Sequence, residues 1–262
     1  MNANEFTDII YEKEENGICT ITLNRPEIKN ALSQRTFFEI ETVLTDMELD
    51  RDARVLIITG CKEANAFSSG GYFDLKFFKP NIVETQREKV KLWNFSKPVI
   101  AAINGYAIGA GITMILMGAD LIYMAEDAWL SFNFVKRGIM AQSAMSFLLP
   151  LYLGFQKAKE ILYFGERITA IEAAKLGLIN KVLPLEELLP YARKMAKKLI
   201  PPEGPSLSVK LMKKVIHEYF GDIVFRTQDL EKNGNKVLFK THDFREALRA
   251  FKEKREPAFK GR

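Results

Sequence analysis

The sequence predicts an α/β fold, and three observations carry that expectation. First, solid apolar runs such as "ARVLIIT" (53–59), "KPVIAAI" (97–103) and "ADLIYMA" (119–125) read as strands buried on both faces. Second, helical stretches lie between these runs, and alternation of strand and helix implies right-handed crossovers and a parallel sheet. Third, strand signals fade beyond residue 140 and glycine-punctuated helical segments replace them. The expected division is a core over 1–200 and a C-terminal helical region over 201–262, both of ordinary domain size.

Taken in order, "IIYEKEENGICTITLN" reads as a hairpin, because two β-rich segments flank the turn dipeptide Asn16-Gly17. Ser33 is placed to cap a helix whose apolar residues Phe37, Ile40, Leu44 and Met47 share one face. The strand "ARVLIIT" follows, then two further strand and helix units built around "KPVIAAI" and "ADLIYMA". "SAMSFLLPLYLG", "FQKAKEILYFG", "TAIEAAKLGLI" and "PLEELLPYARKMAKKLI" are helical segments ended by glycine or proline. Pro201-Pro202 and Pro205 mark a linker before helices expected at 206–219 and 222–238. The last helix, "HDFREALRAFKEKR", sets Phe244, Ala247, Leu248 and Phe251 on one stripe. So short a tail buries little apolar surface alone, so it is expected to pack on the core or on another subunit.

Composition narrows the class. Of 262 residues, 47% are hydrophobic and 27% charged, which suits a soluble globular protein. No apolar run is long enough to span a bilayer. The opening "MNANEFTDIIYEKEENG" is too acidic for a signal peptide, and Cys19 and Cys61 lack metal or redox spacing. A cytoplasmic protein without a bound metal is the expectation. The net charge of +5, with lysines and arginines gathered toward the C-terminus, favours anionic ligands. Phosphate-bearing ligands fit better than nucleic acid, since no basic motif is interleaved with aromatics.

Two glycine turns carry the chemistry. "AFSSGGYFDLK" holds Gly70-Gly71 and "NGYAIGAG" holds Gly105, Gly109 and Gly111. In each, a strand ends at glycines and a helical segment begins, and exposed N–H groups at such a point favour negative charge. Facing each other, the two turns can offer two N–H donors to one oxygen, the construction of an oxyanion hole. Neither turn fits a dinucleotide fingerprint or a P-loop. Either turn alone reads better as glycines that permit close packing.

The stretches "LNRPEIKNALS" (23–33), "AFSSGG" (66–71), "KPVIAAINGYAIGAG" (97–111), "DLIYMAEDAWLSF" (120–132), "ILYFGERITAIEAAKLGLINKVLP" (161–184) and the terminal "AFKEKREPAF" occur in order over nearly the whole chain. Together they resemble the enoyl-CoA hydratase/isomerase (crotonase) superfamily. The resemblance implies a crotonase-like ββα spiral core with a C-terminal helical oligomerisation region that forms trimers, often paired into hexamers. It implies an acyl-coenzyme A or acyl-carrier-protein thioester as substrate, with coenzyme A as part of that substrate and no separate cofactor. The thioester oxygen would be held by the backbone N–H groups of Gly71 and Ala110. Coenzyme A would lie along Lys29, Ala31, Ser68 and Gly70, and Lys76 matches a lysine that meets the coenzyme phosphate. Phe259 and Lys260 match terminal residues that reach the ligand of a neighbouring subunit.

The acids of the family are missing. The first hydratase glutamate is replaced by Thr113 (or Met114, by a one-residue shift), the second by Asn133-Phe134, and an isomerase glutamate by Gln142. Activating water needs a base within reach of the reacting atom, and Thr, Met, Asn, Phe and Gln are not bases at neutral pH. Tyr72 and Lys76, four residues apart, are further pocket candidates, while Asp74 matches a structural aspartate. Decarboxylases of the same superfamily also lack both glutamates, and "NFVKRGIMAQSAMSFLLPLYLG" resembles their corresponding segment. Three readings therefore stand: an enolate-stabilising hydratase or isomerase with unusual residues, a decarboxylase, and a non-catalytic acyl-CoA-binding or RNA-binding member.

Overall fold

The computed structural model describes residues 6–72 and 87–262. The hairpin forms as the sequence requires: β1 (Ile9–Lys13) pairs antiparallel with β2 (Ile18–Leu23). Gly17 takes φ +88°, and Asn16 Oδ1 accepts the Ile18 N–H at 2.8 Å. Helix α1 (Gln34–Leu49) starts at Ser33, whose hydroxyl accepts the Thr36 N–H while the Thr36 hydroxyl accepts the Ser33 N–H, each at 3.0 Å. Its residues Phe37, Ile40, Leu44 and Met47 are all buried.

The apolar runs become β3 (Val55–Gly60), β5 (Val99–Ile103) and β7 (Leu121–Ala125), parallel to β2 and to one another. With β10 (Lys181–Leu183) they complete a sheet of order β1-β2-β3-β5-β7-β10. A second sheet is built from three-residue strands β4 (Ala66–Ser68), β6 (Tyr106–Ile108), β8 (Trp129–Ser131) and β9 (Arg167–Thr169). Three successive turns each donate one strand to each sheet. β3 and β4 are followed by α2 (Arg87–Asn94), β5 and β6 by α3 (Ala110–Gly118), and β7 and β8 by α4 (Met145–Leu153) and α5 (Phe155–Phe164). This is the expected ββα spiral. After α5 come α6 (Ala170–Lys175), α7 (Leu185–Lys197), α8 (Ser206–Leu238) and α9 (His242–Glu253).

Three local expectations need correction. Strands do not vanish after residue 140, since β9 and β10 extend both sheets; at three residues each they are too short to display a period of two. The helices expected at 206–219 and 222–238 are one 33-residue helix, because a glycine inside a helix costs only about 1 kcal/mol and Gly221 does not break it. Phe251 does not share the buried stripe of α9. It is 65% exposed and lies under the Arg137 guanidinium at 3.7 Å, while Ala250 takes the buried place.

The tail packs on the core through α8. Lys213 Nζ donates to Asp120 Oδ2 at 2.8 Å and to the Lys97 carbonyl at 2.9 Å. The His217 ring stacks on Trp93 at 4.3 Å, and burial pushes its pKa down. Among the described residues, no helix is long and apolar enough to cross a membrane, and no cluster of His, Cys, Asp or Glu could hold a metal ion.

Candidate active site

Strands β4 and β6 are parallel neighbours, so they end at the same edge of the small sheet. The two glycine turns leave from that edge side by side. A Cβ built on Gly70, whose φ is +101°, would sit 2.8 Å from the Ile108 carbonyl oxygen and 3.8 Å from the Ala110 nitrogen. A Cβ on Gly111 would lie 2.7 Å from the Ser68 Cβ, and one on Gly105 2.8 Å from the Ala66 Cα. These three positions leave no room for a side chain: backbone lies directly against Gly70 and Gly105, and the buried Ser68 side chain against Gly111.

Among the described residues, the donors at this junction have no partner. The bridge between Leu32 and Gly71 uses the Leu32 N–H to Gly70 O and the Tyr72 N–H to Leu32 O, which leaves out the Gly71 N–H. Ala110 is the first residue of α3, whose start has no side-chain cap. Among the described residues, neither the Gly71 N–H nor the Ala110 N–H donates to another group. Both residues are partly exposed, so a ligand oxygen has access.

The coenzyme side expected at Lys29, Ala31, Ser68 and Gly70 is assembled as one unit. The Ser68 hydroxyl donates to the Asn30 carbonyl at 2.8 Å, the Ser69 N–H to the Lys29 carbonyl at 2.9 Å, and the Leu32 N–H to the Gly70 carbonyl at 2.8 Å. Lys29 and Asn30 adopt φ +57° and +54°. Buried Asn30 ties this loop to the sheet: its side chain accepts from the Arg25 N–H at 2.9 Å and donates to Ala66 O at 3.1 Å. Tyr72 is exposed on this side, its ring 5.4 Å from the Arg25 guanidinium.

The positions at which the family resemblance would place acids surround the start of α3. Thr113, fully buried, has its hydroxyl 3.1 Å from that of Ser143. Gln142 is the half-buried neighbour of Ser143, and its carbonyl accepts the Met145 N–H at 3.4 Å. The Phe134 ring and Asn133 Oδ1 flank the second turn, at 3.9 and 3.6 Å from a Cβ built on Gly109. Lys136 lies away from this group, paired on the surface with Glu166 at 2.8 Å. Asp74 and Lys76 lie outside the described residues. Phe259 and Lys260 sit at the start of α9, where Asp243 accepts the N–H groups of Lys260 and Gly261, each at 2.7 Å.

The sequence profile of the enoyl-CoA hydratase/isomerase family matches residues 13–262. The chain belongs to the enoyl-CoA hydratase/isomerase family. A crotonyl-CoA hydratase from Syntrophomonas wolfei is 33% identical, over 97% of this chain and 98% of that protein. A 1,2-epoxyphenylacetyl-CoA isomerase from Escherichia coli is 30% identical, over 97% and 99%. The crystal structure of an enoyl-CoA hydratase/isomerase from Pseudoalteromonas atlantica T6c superposes with a TM-score of 0.89 at 27% identity, covering 97% of this chain and all of that one. Within this family fold, Ser143 and Asn30 are the site residues that sequence reasoning missed. Asn30 lies inside the recognisable "RPEIKNAL" stretch, whereas Ser143 meets Thr113 across 30 residues and has no local signal.

Proposed function

We propose that this chain is an acyl-CoA enzyme that stabilises a thioester enolate between the backbone N–H groups of Gly71 and Ala110. The observation that carries this reading is the pair of uncommitted donors on two glycine turns that leave one sheet edge in contact. Donors fixed in advance where negative charge develops lower the barrier without reorganisation. The family, and relatives named for coenzyme A thioesters, support the substrate class. The turn at 25–32 against 68–70 offers the coenzyme a surface next to that hole, and no separate cofactor enters.

A second reading is favoured by one feature, the neutral wall made by Thr113, Ser143, Phe134 and Asn133. Loss of carbon dioxide from a carboxylated acyl thioester releases an electron pair into the carbonyl and gives the same enolate. That step needs the hole but no strong base. Gln142 would then orient the acyl group rather than move a proton. The exposed row Leu211, Val215 and Tyr219 on α8 supports assembly into a trimer, in which Phe259 and Lys260 would meet a neighbour's coenzyme.

The test is incubation with 2-enoyl-, 3-enoyl- and carboxyacyl-CoA in deuterated water, read by mass spectrometry. Enolate chemistry places deuterium at the carbon beside the thioester, and decarboxylation adds a loss of carbon dioxide. Tight binding with neither outcome across the panel would instead identify a protein that binds acyl-CoA without turning it over.

A further inference from the structure

Besides Lys213 near its start, helix α8 buries Gln228, Glu231 and Asn235 toward its C-terminal end, on one face. Glu231, only 1% exposed, accepts the Ala144 N–H on Oε2 and the Ser146 N–H on Oε1, both at 2.8 Å. One turn further along, Asn235 Oδ1 accepts the Met140 N–H at 3.1 Å, and its amide donates to the Met140 carbonyl at 3.3 Å. Residues 140–146 thus hang from α8 by four hydrogen bonds.

The suspended turn is not one the local chain prefers. Ser143 and Ala144 take φ +65° and +58°, the left-handed region that residues with a side chain adopt only when their surroundings impose it. Ser143 then places its hydroxyl against Thr113, three residues into α3 from Ala110. A path of direct contacts runs from α8 through the turn to the helix that presents the Ala110 donor. Glu231 also completes the start of α4, where a carboxylate is favoured by the exposed N–H groups. The coenzyme face at 25–32 and 68–72 receives none of these four bonds.

We propose that Glu231 and Asn235 are positioning residues: they fix the 140–146 turn as a wall of the acyl pocket and so set affinity for the acyl group, not for coenzyme A. The proposal rests on the acyl-thioester reading above. E231Q keeps the shape but offers one accepting oxygen, and its NH₂ faces the second N–H. Loss of a hydrogen bond to a charged group is worth about tenfold or more. Hydrogen exchange at the Ala144 and Ser146 amides of full-length E231Q is therefore expected to rise at least about tenfold. Calorimetry with crotonyl-CoA and with free coenzyme A gives the second readout. Crotonyl-CoA affinity is expected to fall about tenfold while that for coenzyme A stays within about twofold. N235A, which keeps the carboxylate, carries the same comparison at the Met140 amide should E231Q fail to fold. Unchanged exchange at these amides, or equal losses for the two ligands, overturns the proposal. A wild-type protein that binds neither ligand refutes the acyl-CoA reading instead, and amide exchange alone then decides whether the clamp exists.

Discussion

Replacing Gly70 by alanine tests the contact on which the site depends. The new methyl group meets two obstacles. At φ +101° a residue with a side chain sits in a disfavoured backbone region, at about 1–3 kcal/mol. The methyl carbon also starts 2.8 Å from the Ile108 carbonyl oxygen, which is backbone and cannot rotate away, and overpacking of this kind costs about 1–3 kcal/mol. The expected loss is about 2–6 kcal/mol in all. Gly177 is the control: its φ is +76° but nothing lies within 4 Å of a Cβ there, so G177A meets the backbone term alone. Urea unfolding at fixed protein concentration compares the two variants. Relief of the clash moves the Ile108–Ala110 segment away from Gly71, and on the proposed oxyanion-hole reading the loss of one donor lowers turnover by about 10²–10³. G70A should therefore be the less stable variant and should lose turnover of whichever thioester the wild type converts. If G70A and G177A unfold alike and G70A keeps full turnover, the two turns do not press together and the reasoning is wrong.

Three further outcomes follow from the packing. K213M leaves Asp120 without its buried partner and should cost about 3–5 kcal/mol in denaturant unfolding, since the remaining charge is only partly hydrated. Glu246 is held at a pKa of about 2, against an ordinary 4.5, chiefly by its hydrogen bonds from Arg255 and then by the Ala258 N–H. A depressed folded pKa means the stabilisation is complete above 4.5 and is lost as pH falls toward 2, so E246Q should flatten the acid limb of the stability curve. The proposed trimer should fall to monomers, read by light scattering, when the exposed face of α8 is charged with V215E and Tyr219→Glu. A species larger than a monomer that survives both charges would place any subunit contact elsewhere.

Much of the framework was readable from residue pattern alone. β3, β5 and β7 announced themselves because a strand covered on both faces must be apolar throughout, and the cap of α1 because a serine before an amphipathic run can accept from the first turn's N–H groups. The second sheet was legible only in part, since a strand of three residues carries no periodicity and is recognised by its pairing. Gly70, Gly109 and Ala110 were legible as turns, and their partnership came through family resemblance rather than through spacing.

What the sequence determined by itself was the set of local choices: where backbone must turn without a Cβ, where strands are buried on both faces, and which positions lack an acid. Only the tertiary structure decided which groups face one another. It brought the Gly70 turn against Ile108 and Ala110, Ser143 against Thr113, and Glu231 against Ala144 and Ser146. Those meetings join residues that are 30 to 87 positions apart. Distance along the chain carries no local signal of contact in space, because the crossovers of the spiral, and not the neighbouring residues, fix which strand ends and which helix faces meet.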